Sequence, residues 1–300
     1  MSRDSTPHLA VSAAQCLSIP IDERIERIRS PRWIGYPRSK TILAKLEDLL
    51  VYPKSHRMPN VLLVGETNNG KTMLIERFRS QHPAHDNPSG QGIRVPVLVI
   101  QAPPTPDEGR FYNAILEKLF APYKANDRVD KKQIQVVKLL RYVQLGMLIV
   151  DEIHHLLAGN LNKQRAFLNV IKYLGNELQV PIVGVGTKDA FRAIQTDPQL
   201  ANRFEPAVLP RWSFDTGFLR LLASFERMLP LAEPSMLHDT TLATRLHSLS
   251  EGYLGELSKL LTIAATAAVE SGRERIDIKL LGTLDWAPPS ERRRQAERLA

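Results

Sequence analysis

Cysteine is nearly missing from this chain. Cys16 is the single one in 300 residues, so no disulfide can form within it. That composition suits a reducing compartment, and the expected location is cytoplasmic. No apolar run is long enough to span a bilayer, so no membrane association is expected. Met1 to Pro20 lacks the charged-then-apolar order of a secretion signal. No internal repeats or low-complexity tracts stand out either. What remains is ordinary for a globular protein, at 43% hydrophobic and 24% charged residues, with enough chain for one large or two smaller domains. The net charge of +8 favours a polyanionic partner but equally describes a solvated basic surface.

One stretch organises the rest. Val61 to Gly65 is a short apolar run, and Glu66, Thr67, Asn68 and Asn69 follow it. Gly70-Lys71-Thr72 then opens a helix-like segment with Met73. This is G-x-x-x-x-G-K-[ST] between a strand and a helix, where backbone N–H groups converge on phosphate oxygens. Gly65 and Gly70 permit the close approach. Lys71 is expected on the β- and γ-phosphates, and Thr72 on Mg²⁺. Gly65 to Met73 are therefore the candidate nucleotide-binding residues, with ATP and Mg²⁺ as cofactors.

About 80 residues on, Gly146-Met-Leu-Ile-Val150 runs into Asp151-Glu152. An apolar strand presenting two carboxylates at its end fits a P-loop partner motif. Asp151 would hold Mg²⁺ and Glu152 would activate the attacking water. His154 and His155 follow. Adjacent residues share no helix face, so we read them as helix-start or contact residues rather than a metal pair. Pro181 to Val185 is another buried strand, ending at Gly186-Thr187. If it lies between the other two, Thr187 stands beside the γ-phosphate; otherwise it caps a strand end. Arg203 is either an arginine finger, supplied to a neighbouring subunit, or a member of an ordinary ion pair.

The remaining chain gives the organisation. Residues 1–30 read as a polar arm with a short helix, Ile21 to Ile28. Residues 31–212 hold the alternating strands and helices, among them a loop from Asp86 to Gly92, a charged loop from Ala121 to Lys132, and a strand-like Ala207 to Trp212. Residues 213–287 read as a helical lid in which Leu254 to Ser271 is stopped by Gly272. Residues 288–300 read as a basic tail, either flexible or amphipathic. The expected fold is an α/β P-loop NTPase of the AAA+ type: a parallel αβα sandwich plus a small C-terminal helical lid. In that arrangement Trp33, Ile34 and Tyr36 offer flat apolar surface to the base, or form a packed lead-in loop.

Four segments resemble the TniB transposition proteins, relatives of TnsC. They are Arg32-Trp-Ile-Gly-Tyr-Pro37, Arg57-Met-Pro-Asn60, Gly65 to Thr72, and Ile149-Val-Asp-Glu-Ile-His-His155. The resemblance implies a bacterial, nucleoid-associated ATPase that binds double-stranded DNA with little sequence preference. It also implies homo-oligomeric rings or filaments, a DDE transposase (TniA-like) and a TniQ-like targeting protein as partners, and a role in DNA transposition. A ring around a duplex would meet phosphates with Arg110, Lys124, Arg128, Lys131 and Lys132, unless these form a solvated loop. One departure stands out. Many AAA+ lids carry an arginine where this chain has Ser250 to Lys259; it is absent here, and Lys259 is the one candidate substitute. Slow hydrolysis with ATP as an assembly switch is the resulting expectation. A remodeller or helicase loader, or a scaffold that binds ATP without using it, shares most of these motifs.

Overall fold

The computed structural model describes residues 6–88, 90–157, 161–195 and 198–299. The ends of the expected arm and tail, and Ser89 of the Asp86 to Gly92 loop, lie outside the described residues. The chain divides into two compact units, Pro37–Pro210 and a helical unit that joins the N-terminal segment through Tyr36 to the segment from Arg211 onward.

In chain order, α1 (Val11–Gln15) and α2 (Ile21–Arg29) come first. The α/β unit follows with α3 (Pro37–Leu50), β1 (Asn60–Gly65), α4 (Lys71–Gln81), β2 (His85–Asp86), β3 (Ile93–Arg94), β4 (Val97–Gln101), α5 (Glu108–Lys118), α6 (Val129–Tyr142), β5 (Met147–Asp151), α7 (Leu161–Leu178), β6 (Ile182–Gly186), α8 (Lys188–Gln195), α9 (Pro198–Ala201) and β7 (Phe204–Leu209). The helical unit closes with α10 (Thr216–Met228), α11 (Thr240–Ser250), α12 (Leu254–Glu270), α13 (Ile278–Thr283) and α14 (Pro289–Leu299).

The sheet order is β4-β5-β6-β1-β7, with every neighbouring pair parallel. Strands β1, β5 and β6 are buried along their whole length, which is why they read as unbroken apolar runs rather than alternating ones. The period of two still sorts their side chains. Leu62, Val64, Leu98, Ile100, Leu148, Val150 and Ile182 join one core with residues of α5 to α8. The intervening Val61, Leu63, Val97, Val99, Ile149, Val183 and Val185 are equally buried on the other face, which α4 covers. That is an αβα sandwich. Residues β2 and β3 form a separate antiparallel hairpin that flanks the expected loop. Strand β7 starts at Phe204, earlier than expected, because its register on β1 runs from Asn60↔Phe204 to Gly65↔Leu209. Helix α6 likewise begins at Val129, inside the expected charged loop.

The helical unit corrects two expectations. The N-terminal segment is not a loose arm over its described length. Ile25 and Ile28 of α2 enter the core formed by Phe218, Leu222, Leu246, Leu260 and Ala264. Arg24 pairs with Glu274, and the Ala10 N–H donates to the Arg227 carbonyl at 2.7 Å. The tail is helix α14 rather than a free end. It buries no residue of its own, yet Arg292 pairs with Glu256 and lies over the Trp286 ring at 5.5 Å. Its Ser290 N–H donates to Glu251. Ile28 is fully buried, so Ile28→Ala is expected to destabilise the protein by about 2–5 kcal/mol. Urea titration with the wild type alongside checks this, and an unchanged midpoint would mean that α2 does not dock.

Candidate functional site

The strand order decides where chemistry can occur. In a parallel sheet all C-terminal strand ends lie along one edge, and there β5, β6 and β1 are consecutive neighbours. Asp151 ends β5, Thr187 follows β6, and the Gly65 loop follows β1. The condition set for Thr187 is met at the level of the sheet, since β6 pairs with both β1 and β5.

The loop after β1 is held by its own backbone and by β7. Gly70 adopts φ +83° and Asn68 φ +60°, both left-handed. A Cβ on Gly65 would sit 3.1 Å from the Leu209 carbonyl oxygen and 3.4 Å from Lys71 Cδ, so only glycine fits without displacing the strand end. Asn69 is buried, and its Nδ2 donates to the Leu209 and Pro210 carbonyls, each at 2.9 Å. Its side chain therefore fixes the loop to β7. No sequence signal could have shown this role without knowing that β7 is the neighbour of β1. Helix α4 starts at Lys71 with no side chain capping its first N–H groups, which leaves an uncapped helix N-terminus facing the loop. Glu66, Thr67, Thr72 and Met73 line the same turn, with Thr67, Thr72 and Met73 exposed.

Four polar groups meet here. The Lys71 ammonium is buried and donates to the Gly65 carbonyl at 2.9 Å and the Glu66 carbonyl at 2.8 Å. Burial lowers its pKa, and the charges of Glu152, Asp151 and Glu66 oppose that shift. The Thr72 hydroxyl donates to Asp151 Oδ2 at 3.0 Å, so the two residues expected to hold Mg²⁺ already touch. Burial raises the Asp151 pKa, while the bonds from Thr72 and from the Glu152 N–H lower it. A hydroxyl and a carboxylate in contact form a set of hard oxygen donors, which fits Mg²⁺. Glu152 has φ +56°, an uncommon conformation for a glutamate, and its N–H donates to Asp151 Oδ1 at 2.9 Å. The bond fixes the turn that carries Glu152 past the strand end. The Thr187 hydroxyl is buried and has no hydrogen-bond partner among the described residues.

Two residues that the sequence reading set aside lie beside this group. His154 and His155 lie on a single 3₁₀ turn, Ile153–Leu157. His154 Nε2 is 3.2 Å from Glu152 Oε2, and the two imidazole centroids are 4.5 Å apart. Burial lowers the His154 pKa and the Glu152 charge opposes it.

Other expected residues stand elsewhere. The Arg203 carbonyl accepts from the Asn60 N–H at 2.8 Å, at the start of β1, and its guanidinium donates to Asn176 Oδ1 at 2.9 Å. Arg203 is thus at the opposite edge of the sheet from the loop of its own chain. Trp33, Ile34 and Tyr36 belong to the helical unit, where Ile34 packs on the core and Tyr36 meets Trp212 edge-on at 5.0 Å. Lys259 lies 5.9 Å over the Trp286 ring in the same unit.

The basic residues divide by their environment. Lys132 is a correction: it is buried, donates to the Ala125 carbonyl at 2.9 Å and lies over the Tyr123 ring, so its charge is inside the loop rather than on it. Lys131 pairs with Asp127 at 2.6 Å and Arg128 with Asp130 at 3.2 Å. Arg110 and Lys124 are exposed, and among the described residues their side-chain cations form no ion pair.

The sheet order, the glycine loop and the Thr72–Asp151 contact define a P-loop NTPase of the AAA+ class. Solved structures with this arrangement include the Cdc6 protein of Pyrobaculum aerophilum, at TM-score 0.58 and 18% identity, covering 84% of this chain and 68% of that one. Two others are the ORC2 and ORC1 proteins of Aeropyrum pernix. ORC2 in its ADPNP-ADP complexes has TM-score 0.57 and 15% identity over 85% of this chain and 69% of that one. ORC1 in complex with DNA has TM-score 0.55 and 18% identity over 86% and 68%. The family model described as bacterial TniB protein matches residues 24–214, and the chain belongs to the TniB family.

Proposed function

We propose that this protein binds ATP with Mg²⁺ at the Gly65–Thr72 loop, hydrolyses it slowly, and in its ATP state assembles on duplex DNA to regulate a DDE transposase. The observation that carries the reading is the convergence of Lys71, Thr72, Asp151 and Glu152 at adjacent strand ends. Lys71, now bonded to loop carbonyls, would exchange them for phosphate oxygens. Thr72 and Asp151 would hold Mg²⁺, which when bound neutralises charge on the β- and γ-phosphates. Glu152 would accept a proton from the attacking water. Thr187 would donate its unpartnered hydroxyl to that water or to the γ-phosphate. Arg203 would serve a neighbouring subunit. The missing lid arginine supports slow turnover, because one stabilising charge is lost.

The DNA part rests on the family and on charge. Arg110 and Lys124 are the first candidates for phosphate contact; Arg128 and Lys131 would have to leave their carboxylates. Such contacts imply binding that ignores sequence and weakens steeply with salt. No helix among the described residues is long and apolar enough to cross a membrane. The test is duplex DNA binding and particle size with ATP, ADP and a non-hydrolysable analogue. Large assemblies with ATP or the analogue, and none with ADP, are expected. A protein that stays monomeric and ignores DNA in every state overturns the reading, and fast turnover without transposase overturns the slow step.

A further inference from the structure

Glu152, His154 and His155 each offer one ligand atom, and the three atoms lie within 4.8 Å of one another. The sequence argument against a metal pair assumed a regular helix. The left-handed turn at Glu152 and the 3₁₀ turn after it bring all three side chains to one side instead. The Nδ1 atoms of both histidines are buried and have no hydrogen-bond partner among the described residues, so both rings carry unused donor or acceptor capacity.

We propose that Glu152, His154 and His155 form a regulatory site for a borderline-soft divalent cation, with zinc as its natural occupant, and that loading this site stops ATP hydrolysis. Two imidazoles and a carboxylate are a zinc donor set, and nitrogen ligands select Zn²⁺, Co²⁺ or Ni²⁺ over Mg²⁺. A tetrahedral zinc with bonds of about 2.0–2.1 Å sets its ligand atoms about 3.3 Å apart. Glu152 Oε2 and His154 Nε2 already stand at 3.2 Å. The third ligand atom, on the half-buried His155, lies within 4.8 Å of both. The donor set includes neither Thr72 nor Asp151, the pair assigned to Mg²⁺. Its consequence follows from the carboxylate: bound to Zn²⁺, it gives up charge to the metal and becomes a much weaker base toward water. A zinc-loaded subunit would then hold ATP without turning it over. The inhibitory half of the proposal rests on the catalytic role given to Glu152; the binding half does not.

The test separates the two halves. Nucleotide-free protein is titrated with Co²⁺ and its visible absorption recorded, then Zn²⁺ is added in competition. One Co²⁺ per chain is expected, with a tetrahedral visible band that zinc removes and no thiolate charge-transfer band of the kind Cys16 would give. His154→Ala and His155→Gln are each expected to weaken binding more than about tenfold, since even indirect partners of a metal cost that much. Glu152→Gln gives a third reading should either histidine variant misfold, and folding is checked by circular dichroism. No band in the wild type, or an unchanged band in the His154→Ala/His155→Gln double variant, overturns the site. Full ATPase activity of the zinc-loaded wild type overturns the regulatory role alone, whatever the cobalt spectrum shows.

Discussion

Glu152→Gln is expected to lower ATP turnover by about 100-fold or more, the usual size of a lost general base, and to leave ATP binding essentially unchanged. The geometry explains why the two effects separate. In the proposed reading binding rests on Lys71, the loop backbone and the Thr72–Asp151 contact, and none of their hydrogen bonds uses the Glu152 side chain. Glutamine keeps the volume and the backbone bond from position 152 to Asp151 Oδ1, so the turn stays in place. It loses the negative charge that faces Lys71 and His154, and with it the ability to take a proton. Single-turnover phosphate release measured beside equilibrium ATP binding resolves both effects. Equal rates for variant and wild type would mean that the carboxylate is idle, and the reading of an ATP-binding scaffold would then be preferred. On DNA, the variant should hold assemblies longer than the wild type, because the step that ends the ATP state is slowed.

The parts of this site that were legible in the sequence are those built from consecutive residues. Gly65 to Thr72 announces itself because phosphate binding needs two glycines, a lysine and a hydroxyl at fixed spacing on one turn. Asp151 and Glu152 were readable because a fully buried strand must be apolar until it leaves the core. The sheet order was readable only as a condition on Thr187, since pairing is a long-range property. Asn69 was assigned to the nucleotide, yet its side chain serves β7, and only the fold reveals that partner. Lys132 looked like a surface charge in a basic run. The start of α6 at Val129 shifted its helical phase and placed it against Ala125 and Tyr123. The histidines were set aside on helical geometry that the left-handed Glu152 does not obey. The N-terminal segment seemed polar because α2 offers so short an apolar stripe, and the partners of Ile25 and Ile28 lie some 200 residues further along the chain.

Arg203→Ala is expected to cost the assembled protein about 10³- to 10⁵-fold in ATP turnover, the range of arginine fingers, with no loss of ATP binding by the monomer. The reason is positional. Arg203 is fixed at Asn60, the first residue of β1, and the phosphate loop begins at Gly65, the last. At about 3.3 Å per residue the strand puts roughly 16 Å between them, too far for the guanidinium to reach the phosphates of its own subunit. A role in catalysis therefore requires a second copy, in a head-to-tail interface that repeats around a ring or along a filament. Mixing tests this directly. Arg203→Ala subunits keep Glu152, and Glu152→Gln subunits keep Arg203. Neither alone should turn over ATP on DNA. An equal mixture should recover about a quarter of wild-type activity, the share of interfaces that pair an intact carboxylate with an intact neighbouring arginine. If the mixture stays inactive while still assembling, Arg203 acts within its own chain through its bond to Asn176. If Arg203→Ala alone remains active, the bond to Asn176 is its whole role, and the charge facing the γ-phosphate must come from another residue of the interface.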